Sequence, residues 1–511
     1  MGLKVIDSFT VWRDDQHFTK NPDIVRLPSG KLLCVFNLTN SHWPHDYAKI
    51  TVIESEDEGR TWGNPQVIDE SFPVKGEEPW VTPRISLLRD GRLIILCDQN
   101  DYRHCHESQP PGIYAWWSED GGQTWSERQP TGIPGIEPDR VRELPDGMLI
   151  VGSHYMFANT HKLGQVALRS FDSGKTWGSL SVVASDKVHN FCEGAMVPLS
   201  SGRIACIMRQ NNHNNYPSYV SFSSDGGATW SKSVEAPFSG DRPFAEQLAD
   251  GRVLVTYRNQ AGRAGTFAWV GDIEQEHGYK VSVIDTGPAQ GSALLKEGAL
   301  MLDGARSVTR YGLLPPENEW SNVTLKANLR AQGEANYVCG QIQIARIGVQ
   351  LTIHPDGLNL ESGNPELRHR ANMTRWRDLT ISYVDGKLEI ALDGNVAIQY
   401  LIYRETLWAR TFIGLPEGAQ GSLSLKSISY AVQNPTEPNH EWKWRASDGV
   451  YPNQYEIDRW VEIERNTNPR PDNGYSTWVR MPDGRLLVLD YTNKEAPRGK
   501  AYLMGYVLEL S

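Results

Sequence analysis

One short pattern occurs four times in the first half of this chain. The pattern is Ser-x-Asp-x-Gly-x-Thr-Trp, and its copies occupy residues 55–62, 118–125, 170–177 and 223–230. Asp and Gly favour a tight turn, because Asp bonds to nearby backbone and Gly adopts positive φ without steric cost. The Trp that ends each copy can anchor the turn in apolar packing. Copies at intervals of about 50–60 residues predict one supersecondary unit per copy, and therefore a repeat protein.

A second repeated pattern gives the number of these units. Six segments each join two apolar runs through a short turn that ends in Gly, which is a strong hairpin signal. The turn glycines are Gly30, Gly91, Gly147, Gly202, Gly251 and Gly484. Units of about 40–50 residues with four short strands have the size of propeller blades. We therefore predict an all-β chain with a six-bladed β-propeller, in which residues 3–12 add an outer strand to the last blade.

The spacing between the fifth and the sixth turn is too long for one blade. Within it, residues 323–330, 379–384 and 387–392 alternate apolar and polar side chains, as strands with one buried face do. The pattern is similar to that of concanavalin-like sandwiches, and it predicts a β-sandwich inserted before the last blade. We expect three segments, namely blades one to five in 1–272, the inserted sandwich in 273–435, and blade six with ring closure in 436–511.

Composition narrows the partners and the location. A formal net charge of −11 argues against nucleic acid or an anionic membrane as the main partner. The chain has no apolar run that could span a bilayer, and its first residues lack a signal-peptide pattern. The expected location is therefore the cytoplasm, or the periplasm or the exterior if a leader has been removed.

Metal and cofactor binding find little support in the sequence. Several cysteines fall in predicted core strands, where free Cys behaves as a small apolar residue. The six cysteines lack metal-site spacing, and they are Cys34, Cys97, Cys105, Cys192, Cys206 and Cys339. One residue separates His104 from His106, and the sequence offers no further metal ligands nearby. We predict no metal and no cofactor.

The repeated turn is the Asp-box, or BNR repeat, of the sialidase (neuraminidase) superfamily, and the chain resembles that family over 1–272 and 436–511. The resemblance implies a six-bladed propeller and an oligosaccharide or glycoconjugate substrate. Asp-boxes are structural turns that lie far from the active site in that family. Evidence for catalysis must therefore come from the centre of the propeller.

The turn glycines also locate the expected funnel at that centre. The innermost strand of each blade lines the axis, so the residue nine positions before each turn Gly should lie near the funnel mouth. Those residues are Asn21, Thr82, Pro138, Glu193, Arg242 and Tyr475. An acid, a base and a phenol thus occupy positions that a purely structural core would fill with apolar side chains.

Two segments resemble the catalytic segments of sialidases. Glu193 begins one strand and Arg209 ends the next, and Tyr475-Ser-Thr-Trp resembles the family's Tyr-Ser segment. The resemblance implies that Tyr475 is the nucleophile and Glu193 its base. A phenol with a pKa near 10 needs such a base at neutral pH. The structural alternatives are a core hydroxyl for Tyr475 and an ion pair for Glu193.

The resemblance further implies an acid/base and three arginines that bind a substrate carboxylate. Asp46 is the best match for the acid/base, with His45 as its rival. Arg209 fits the second arginine, because a guanidinium fork suits a planar carboxylate. The candidates for the third are Arg263, Arg258 and Arg242.

The sequence departs from the family at the first arginine, where Lys20 stands instead. Lysine is a point charge and cannot make the guanidinium fork. The Glu that supports that arginine in the family is replaced by Tyr491, so both changes affect one subsite. Unmatched charges expected in the funnel could recognise other groups of a sugar, and they are Asp23, Arg84, Asp139 and Arg140.

The expected function is therefore a sialidase-like exo-glycosidase. It would hydrolyse a terminal acidic sugar with retention, through a tyrosyl-glycoside at Tyr475. One alternative is a glycosidase or lyase of the same fold that acts on another sugar, such as a uronate or a rhamnose-containing glycan. Another is a glycan-binding propeller without catalysis. The Tyr475–Glu193 register favours an enzyme, and Lys20 disfavours an ordinary sialidase.

Overall fold

The computed structural model describes residues 3–100, 112–212, 216–260, 263–279 and 282–510, the last range with gaps at 286–292, 305–309, 315, 319, 345–347, 362–366, 402–410 and 497–499. The chain is all-β, and it divides into two compact units. Unit 1 comprises Met1–Tyr279 and Arg459–Ser511, and unit 2 comprises Lys280–Asp458. The α-helix of the described residues, α1, spans only Gln454–Arg459, and no described helix has the length and apolar character to cross a membrane.

Unit 1 begins with twenty strands. They are β1 (Leu3–Trp12), β2 (Phe18–Arg26), β3 (Leu32–Thr39), β4 (Ala48–Ser55), β5 (Gln66–Ser71), β6 (Arg84–Leu87), β7 (Leu93–Gln99), β8 (Gly112–Ser118), β9 (Gln129–Pro134), β10 (Arg142–Glu143), β11 (Leu149–Phe157), β12 (Lys162–Ser170), β13 (Gly178–Ala184), β14 (Phe191–Pro198), β15 (Ile204–Gln210), β16 (Tyr219–Ser223), β17 (Val234–Glu235), β18 (Asp241–Gln247), β19 (Val253–Asn259) and β20 (Gly265–Gly271).

Unit 2 follows with β21 to β35, and four strands of unit 1 end the chain. Those of unit 2 are β21 (Ser282–Asp285), β22 (Ala293–Lys296), β23 (Ala299–Asp303), β24 (Arg310–Leu314), β25 (Asn322–Gln332), β26 (Gly340–Ile344), β27 (Val349–His354), β28 (Gly357–Glu361), β29 (Leu367–Arg370), β30 (Arg377–Val384), β31 (Lys387–Leu392), β32 (Asn395–Leu401), β33 (Thr411–Gly414), β34 (Ser422–Gln433) and β35 (His440–Arg445). The last four are β36 (Trp460–Arg465), β37 (Asn473–Arg480), β38 (Leu486–Thr492) and β39 (Tyr502–Leu510).

The described strands of unit 1 form six antiparallel sheets of four strands each. Strands β2–β5, β6–β9, β10–β13 and β14–β17 make the first four sheets in chain order. The fifth sheet is β18-β19-β20-β36, and the sixth is β37-β38-β39-β1. The expected outer strand from the N-terminal run is confirmed, because Leu3 pairs with Leu510 and Trp12 with Leu503.

Six apolar cores of unit 1 each lie between two neighbouring sheets. Leu33 of the first sheet and Ile95 of the second belong to one core, and the next four cores join the following sheets in order. The sixth core joins Leu489 of the sixth sheet to Phe36 of the first. The cores therefore follow one another in a closed cycle, so that each sheet is packed on both faces.

The repeated turns connect the third and fourth strands of the first four sheets, and they share one hydrogen-bond pattern. In the third copy, Ser170 Oγ donates to Asp172 Oδ1 (2.8 Å) and accepts from the Gly174 N–H (2.9 Å). Thr176 donates to Asp172 through its N–H (2.9 Å) and its hydroxyl (2.6 Å). These bonds from Thr176 lower the pKa of Asp172 to about 2. The turn is thus closed by its own side chains.

The glycine of each repeated turn packs against the preceding sheet. Gly174 has φ +87°, and a Cβ there would meet Trp117 of the second sheet at 2.8 Å. Gly59 in the first sheet faces Leu487 of the sixth in the same way. Gly is required at these positions both for its φ and for this close approach. The repeated turns therefore also fix the spacing between sheets.

The inserted segment interrupts the fifth sheet. Strand β36, the fourth strand of that sheet, pairs with β20 only after unit 2 has been completed. The prediction placed the insert at 273–435, between the fifth and sixth units, whereas unit 2 runs from 280 to 458 and includes β35, which pairs with β34. The turn-Gly pattern marks only the first hairpin of each sheet, so it carries no information on the fourth strand.

This position also explains why the repeated turn occurs only four times. It connects third and fourth strands, and in the fifth sheet that connection contains unit 2. In the sixth sheet the fourth strand is β1, which precedes the third strand, β39, in the chain, so no short turn connects them.

Unit 2 has two larger sheets and its own core. One sheet has seven strands, in the order β21-β24-β33-β26-β27-β28-β29, and the other has eight, in the order β22-β23-β34-β25-β30-β31-β32, with β35 also paired to β34. A single apolar core takes Ile342 and Leu351 from the first sheet and Leu325 and Leu425 from the second. The alternating strands predicted at 323–330, 379–384 and 387–392 correspond to β25, β30 and β31.

The separate cores predict that unit 1 folds without unit 2. Trp460 pairs with Trp269, and Arg459 Nε donates to Glu276 (2.8 Å), so the chain ends at the excision point lie close together. A protein in which a short Gly-Ser linker replaces residues 280–458 should keep one cooperative thermal transition, as measured by calorimetry beside the full-length chain. A broad, non-cooperative transition of the shortened protein would contradict independent folding of unit 1.

Candidate active site

The first strands of four sheets of unit 1 contain a backbone irregularity at the predicted funnel position. Asn21, Glu193, Arg242 and Tyr475 have φ of 56°, 52°, 46° and 58°, and each lies within a register shift of its strand pair. Residues other than Gly rarely adopt positive φ, which costs on the order of 1–3 kcal/mol. Such bulges re-aim a side chain, and they are frequent beside active sites. The position nine residues before the turn Gly is thus a specialised one.

A cavity of about 540 Å³ in unit 1 brings several of these residues together. Its lining contains the phenol of Tyr475, two glutamates (Glu137 and Glu193) and three cationic side chains (Lys20, Arg209 and Arg258). The lining residues are Lys20, Asn21, His42, Trp43, Val81, Asp98, Asn100, Ile136, Glu137, His154, Met156, Leu163, Asn190, Cys192, Glu193, Arg209, Asn211, Arg258 and Tyr475.

Tyr475 is hydrogen-bonded to Glu137. Its hydroxyl donates to Glu137 Oε1 at 2.8 Å. Burial, followed by repulsion from Glu193, raises the pKa of Glu137 to about 7. Burial likewise raises the pKa of Tyr475 well above its ordinary value, so the phenol stays neutral until a base takes its proton. Glu137 is the carboxylate in contact with that proton.

Glu193 has different partners. Its Oε1 lies 2.8 Å from Arg209 Nη1, and its Oε2 accepts from the backbone N–H of Arg242 at 2.7 Å. Burial raises the pKa of Glu193, but the charges of Arg209 and Arg242 outweigh it and lower the pKa to about 2. Glu193 therefore stays ionised, and its partners are arginines and not the phenol.

A chain of ion pairs continues from Glu193 along one wall of the cavity. Arg209 Nε lies 2.8 Å from Asp241 Oδ1, and Arg258 Nη2 lies 3.1 Å from Asp241 Oδ2. Arg209 and Arg258 both line the cavity. Two guanidinium groups held by two carboxylates form a wall of hydrogen-bond donors whose geometry is fixed before any ligand arrives.

Arg242 supports the site from below. It is 2% exposed, and its guanidinium donates to the carbonyls of Glu137 (3.3 Å) and Pro138 (3.0 Å). The central carbon of the Arg242 guanidinium, Cζ, lies 5.1 Å from the centroid of the Tyr475 ring. Arg242 does not line the cavity, and it positions the two residues that share the phenol proton.

Lys20 is a buried cation in the cavity wall. Its Nζ donates to the His42 carbonyl (3.1 Å) and lies 3.0 Å from His45 Nε2. Among the described residues, no carboxylate lies within ion-pair distance of Lys20. Burial lowers the pKa of Lys20 to about 8, and burial with the Lys20 charge lowers the pKa of His45 to about 3. Lys20 is therefore a donor placed to attract an anionic group, beside a neutral imidazole.

Two predicted residues lie away from the cavity. Asp46 is exposed, and its Oδ2 accepts from Asn40 Nδ2 at 2.8 Å. Arg263 pairs with Glu462, with Nη1 and Oε2 3.0 Å apart. Neither side chain belongs to the lining of the cavity. Both residues lie in loops, so their spacing from a strand in the sequence fixes their position poorly.

Two further arginines of unit 1, Arg84 and Arg140, contact Asp23. Arg140 donates to both Asp23 carboxylate oxygens through Nε at 3.0 Å, and Arg84 Nη1 lies 3.7 Å from Asp23 Oδ1. Asp23 also accepts from Thr477 Oγ1 at 2.8 Å. Arg140 Nη1 also lies 3.3 Å from Glu246 Oε1, and neither arginine contributes to the lining of the cavity.

Glu137 was missed by sequence reasoning because of a one-residue offset. The residue nine before Gly147 is Pro138, but Glu137 has the positive φ, at 49°. A Pro at the predicted position was itself a signal. Because the φ of Pro is fixed at about −65°, only a neighbouring residue can adopt the positive φ of this position. Asp98 was also missed, and it accepts from the Thr82 N–H (3.0 Å) and Asn100 Nδ2 (2.8 Å).

No group of three or more His, Cys, Asp or Glu side chains within the described ranges could hold a metal ion. His104, Cys105 and His106 lie outside the described residues. Five cysteines, at 34, 97, 192, 206 and 339, are buried and free.

Comparisons place the chain among known proteins. The model of the BNR repeat-like domain family matches residues 3–138 and 105–288. A sialidase from Paraclostridium sordellii is 24% identical over 249 residues, 47% of this chain and 52% of that protein, so the chain spans about half the length of this curated relative. A Dyadobacter fermentans protein of unknown function superposes with a TM-score of 0.53 at 15% identity over 100% of both chains. A Hadza microbial sialidase gives a TM-score of 0.43 at 19% identity, over 52% of this chain and 58% of its own.

The opposite environments of the two glutamates predict opposite effects of removing their charge. The pKa of Glu137 in the folded protein is about 7, above its ordinary value of 4.5. Ionisation of Glu137 therefore lowers the free energy of unfolding, an effect that is absent below pH 4.5 and complete above pH 7. Glu137→Gln should therefore stabilise the protein by about 1–3 kcal/mol at pH 8 and much less at pH 5. Glu193→Gln should destabilise it at pH 8 by about 3–5 kcal/mol, because buried arginines lose their partner.

Chemical denaturation at the two pH values measures both effects, with the exposed Glu119→Gln as a control that should change neither. Equal stability changes for Glu137→Gln at pH 5 and pH 8 would contradict the raised pKa.

Proposed function

The chain belongs to the BNR repeat-like domain family, and we propose that it is a glycoside hydrolase of sialidase type that removes a terminal acidic sugar from a glycan. The observation that carries this proposal is the hydrogen bond from Tyr475 to Glu137 in a cavity lined by Lys20, Arg209 and Arg258. A phenol with its base beside it can form a glycosyl intermediate, and the cations suit an anionic substrate group.

We propose as the scaffold a six-bladed β-propeller with an inserted β-sandwich. The closed cycle of apolar cores between six four-stranded sheets supports the propeller, since each blade packs on two neighbours. The shared core between the two sheets of unit 2 supports the sandwich. The bulged first strands would then meet around one axis at the cavity.

In the proposed first step, Tyr475 Oη attacks the anomeric carbon while the bond from that carbon to the leaving oxygen breaks. The phenol proton passes to Glu137. Water then attacks the anomeric carbon and breaks its bond to Tyr475 Oη. The general acid that protonated the leaving oxygen in the first step takes the proton of this water, and Glu137 returns its proton to the phenolate, so the configuration is retained overall. A base with a pKa of about 7 is matched to this exchange at neutral pH.

This scheme gives Glu193 a role other than the base predicted from sequence. The geometry favours Glu137 as the base, because it contacts the phenol, and Glu193 as a permanent anion that orients Arg209. The negative charge of Glu193 also keeps the pKa of Glu137 high. Asp46, with His45 as its rival, stays a prediction for the acid that protonates the leaving oxygen.

Lys20 favours an acidic sugar other than sialic acid, such as a uronate, as the second candidate substrate. Tyr491, which stands where the family has a supporting Glu, donates its hydroxyl to Asp472 at 3.0 Å. A single ammonium would thus replace a supported guanidinium at one subsite. One charge-assisted bond in place of two is a loss on the order of 1.5–3 kcal/mol for a carboxylate held in that way.

A panel of 4-methylumbelliferyl glycosides, including sialosides and uronides, tests the function. We expect turnover of an acidic member, and Tyr475→Phe should lower kcat on it by about 10³-fold or more, because the attacking oxygen is lost while the ring packing remains. Tyr114→Phe, outside the cavity lining, is the matched control and should retain activity. Full activity of Tyr475→Phe, or no turnover of any acidic glycoside, would count against the proposal.

A further inference from the structure

A second cavity of about 420 Å³ adjoins the first. The two cavities share His42 and Arg258 as lining residues. Most residues that line the second cavity have polar side chains, and the lining residues are His42, Arg258, Asn259, Gln260, Ala264, Arg470, Pro471, Asp472 and Asn473. Asn473 lies two residues before Tyr475 on β37, so the second cavity borders the strand that contains the phenol.

The loop that walls this cavity is held in place by one asparagine. Asn493 Nδ2 donates to the Arg470 carbonyl (2.8 Å), and its Oδ1 accepts from the Asp472 N–H (2.9 Å) and from Asn466 Nδ2 (2.9 Å). The Asp472 carboxylate is fixed in turn by His42 at 2.9 Å. A loop tied at several points is pre-organised and loses little entropy when a ligand binds.

Two donors of this cavity have no partner within the described chain. Asn473 is 2% exposed, and its Nδ2 makes no hydrogen bond. Leaving a buried amide donor unpaired costs about 1–3 kcal/mol, so such a group calls for an explanation. The Arg470 guanidinium is exposed and makes no hydrogen bond or ion pair with a described residue, although its backbone is anchored at both ends.

We propose that the second cavity binds the leaving-group sugar, which is the neutral residue that follows the terminal one in the glycan. This inference rests on the proposed function of the first cavity. Sugar hydroxyls both donate and accept, and the cavity offers donors in Asn473 and Arg470 together with an acceptor in Asp472. The substrate is then an oligosaccharide of at least two residues, recognised on both sides of the scissile bond.

The test compares extended with aryl ligands of the same terminal sugar. The probes are 3′-sialyllactose against the 4-methylumbelliferyl sialoside, and cellobiouronic acid against the 4-methylumbelliferyl glucuronide. Binding is measured by calorimetry in a Tyr475→Phe background, which prevents turnover. Asn473→Ala and Arg470→Gln should each raise the Kd of an extended probe by about tenfold, since one hydrogen bond to the sugar is lost, and change that of its aryl partner little.

Arg480→Gln, an exposed arginine at the other end of β37 that lines neither cavity, is the matched control and should leave both Kd values unchanged. Equal changes for both probe types, no change for either, or no binding of an extended probe would overturn the subsite. Binding of extended probes that the unaltered protein does not hydrolyse would sink the proposed function while the Asn473 effect still supports the subsite.

Discussion

Two glutamates line one cavity, and arginines hold them unequally, since Glu193 lies 2.8 Å from Arg209 Nη1 and Glu137 lies 3.7 Å from Arg242 Nη1. Glu193 is held by Arg209 and by the backbone of Arg242, so it keeps its charge and its pKa falls to about 2. Glu137 lies next to that fixed charge without an equal partner, and its pKa rises to about 7. Two like groups in different surroundings thus acquire different roles, which is a recurring way to obtain a base at neutral pH. The phenol of Tyr475 shares its hydrogen with the glutamate that can still change its charge.

Bulges at equivalent positions in the first strands of several sheets of unit 1 make this arrangement possible. Glu137, Glu193, Arg242 and Tyr475 all have positive φ, which turns their side chains away from the regular alternation of a strand. Such strain persists only where the surroundings hold it, and here each sheet of unit 1 packs on both neighbours through an apolar core. The repeated turns add a second restraint between the sheets. The apolar cores and the repeated turns therefore hold the strained residues of the cavity in place.

Much of this was readable from the sequence, because turns depend on local chemistry. The Asp-Gly and Ser-Gly turns gave the number of four-stranded sheets among the described residues, and the distance from each turn Gly led to Glu193, Arg242 and Tyr475. The limits were physical as well. The same distance missed Glu137 by one residue beside a Pro, and the hydrogen bond from Tyr475 to Glu137 joins segments far apart in the chain, which no local pattern records. Asp46 was taken from a loop, where length sets position, and it lies outside the cavity.

Trapping the intermediate tests the central assignment most directly. Fluorinated glycosyl fluorides of sialic and glucuronic acid slow the release of a glycosyl-enzyme more than its formation, so peptide mass mapping can locate the attached sugar. The account predicts a sugar adduct on Tyr475, formed more slowly in Glu137→Gln than in the unaltered protein and absent from Tyr475→Phe. An adduct on Glu137 or Glu193, or turnover of the parent glycoside without any adduct on Tyr475, would contradict it.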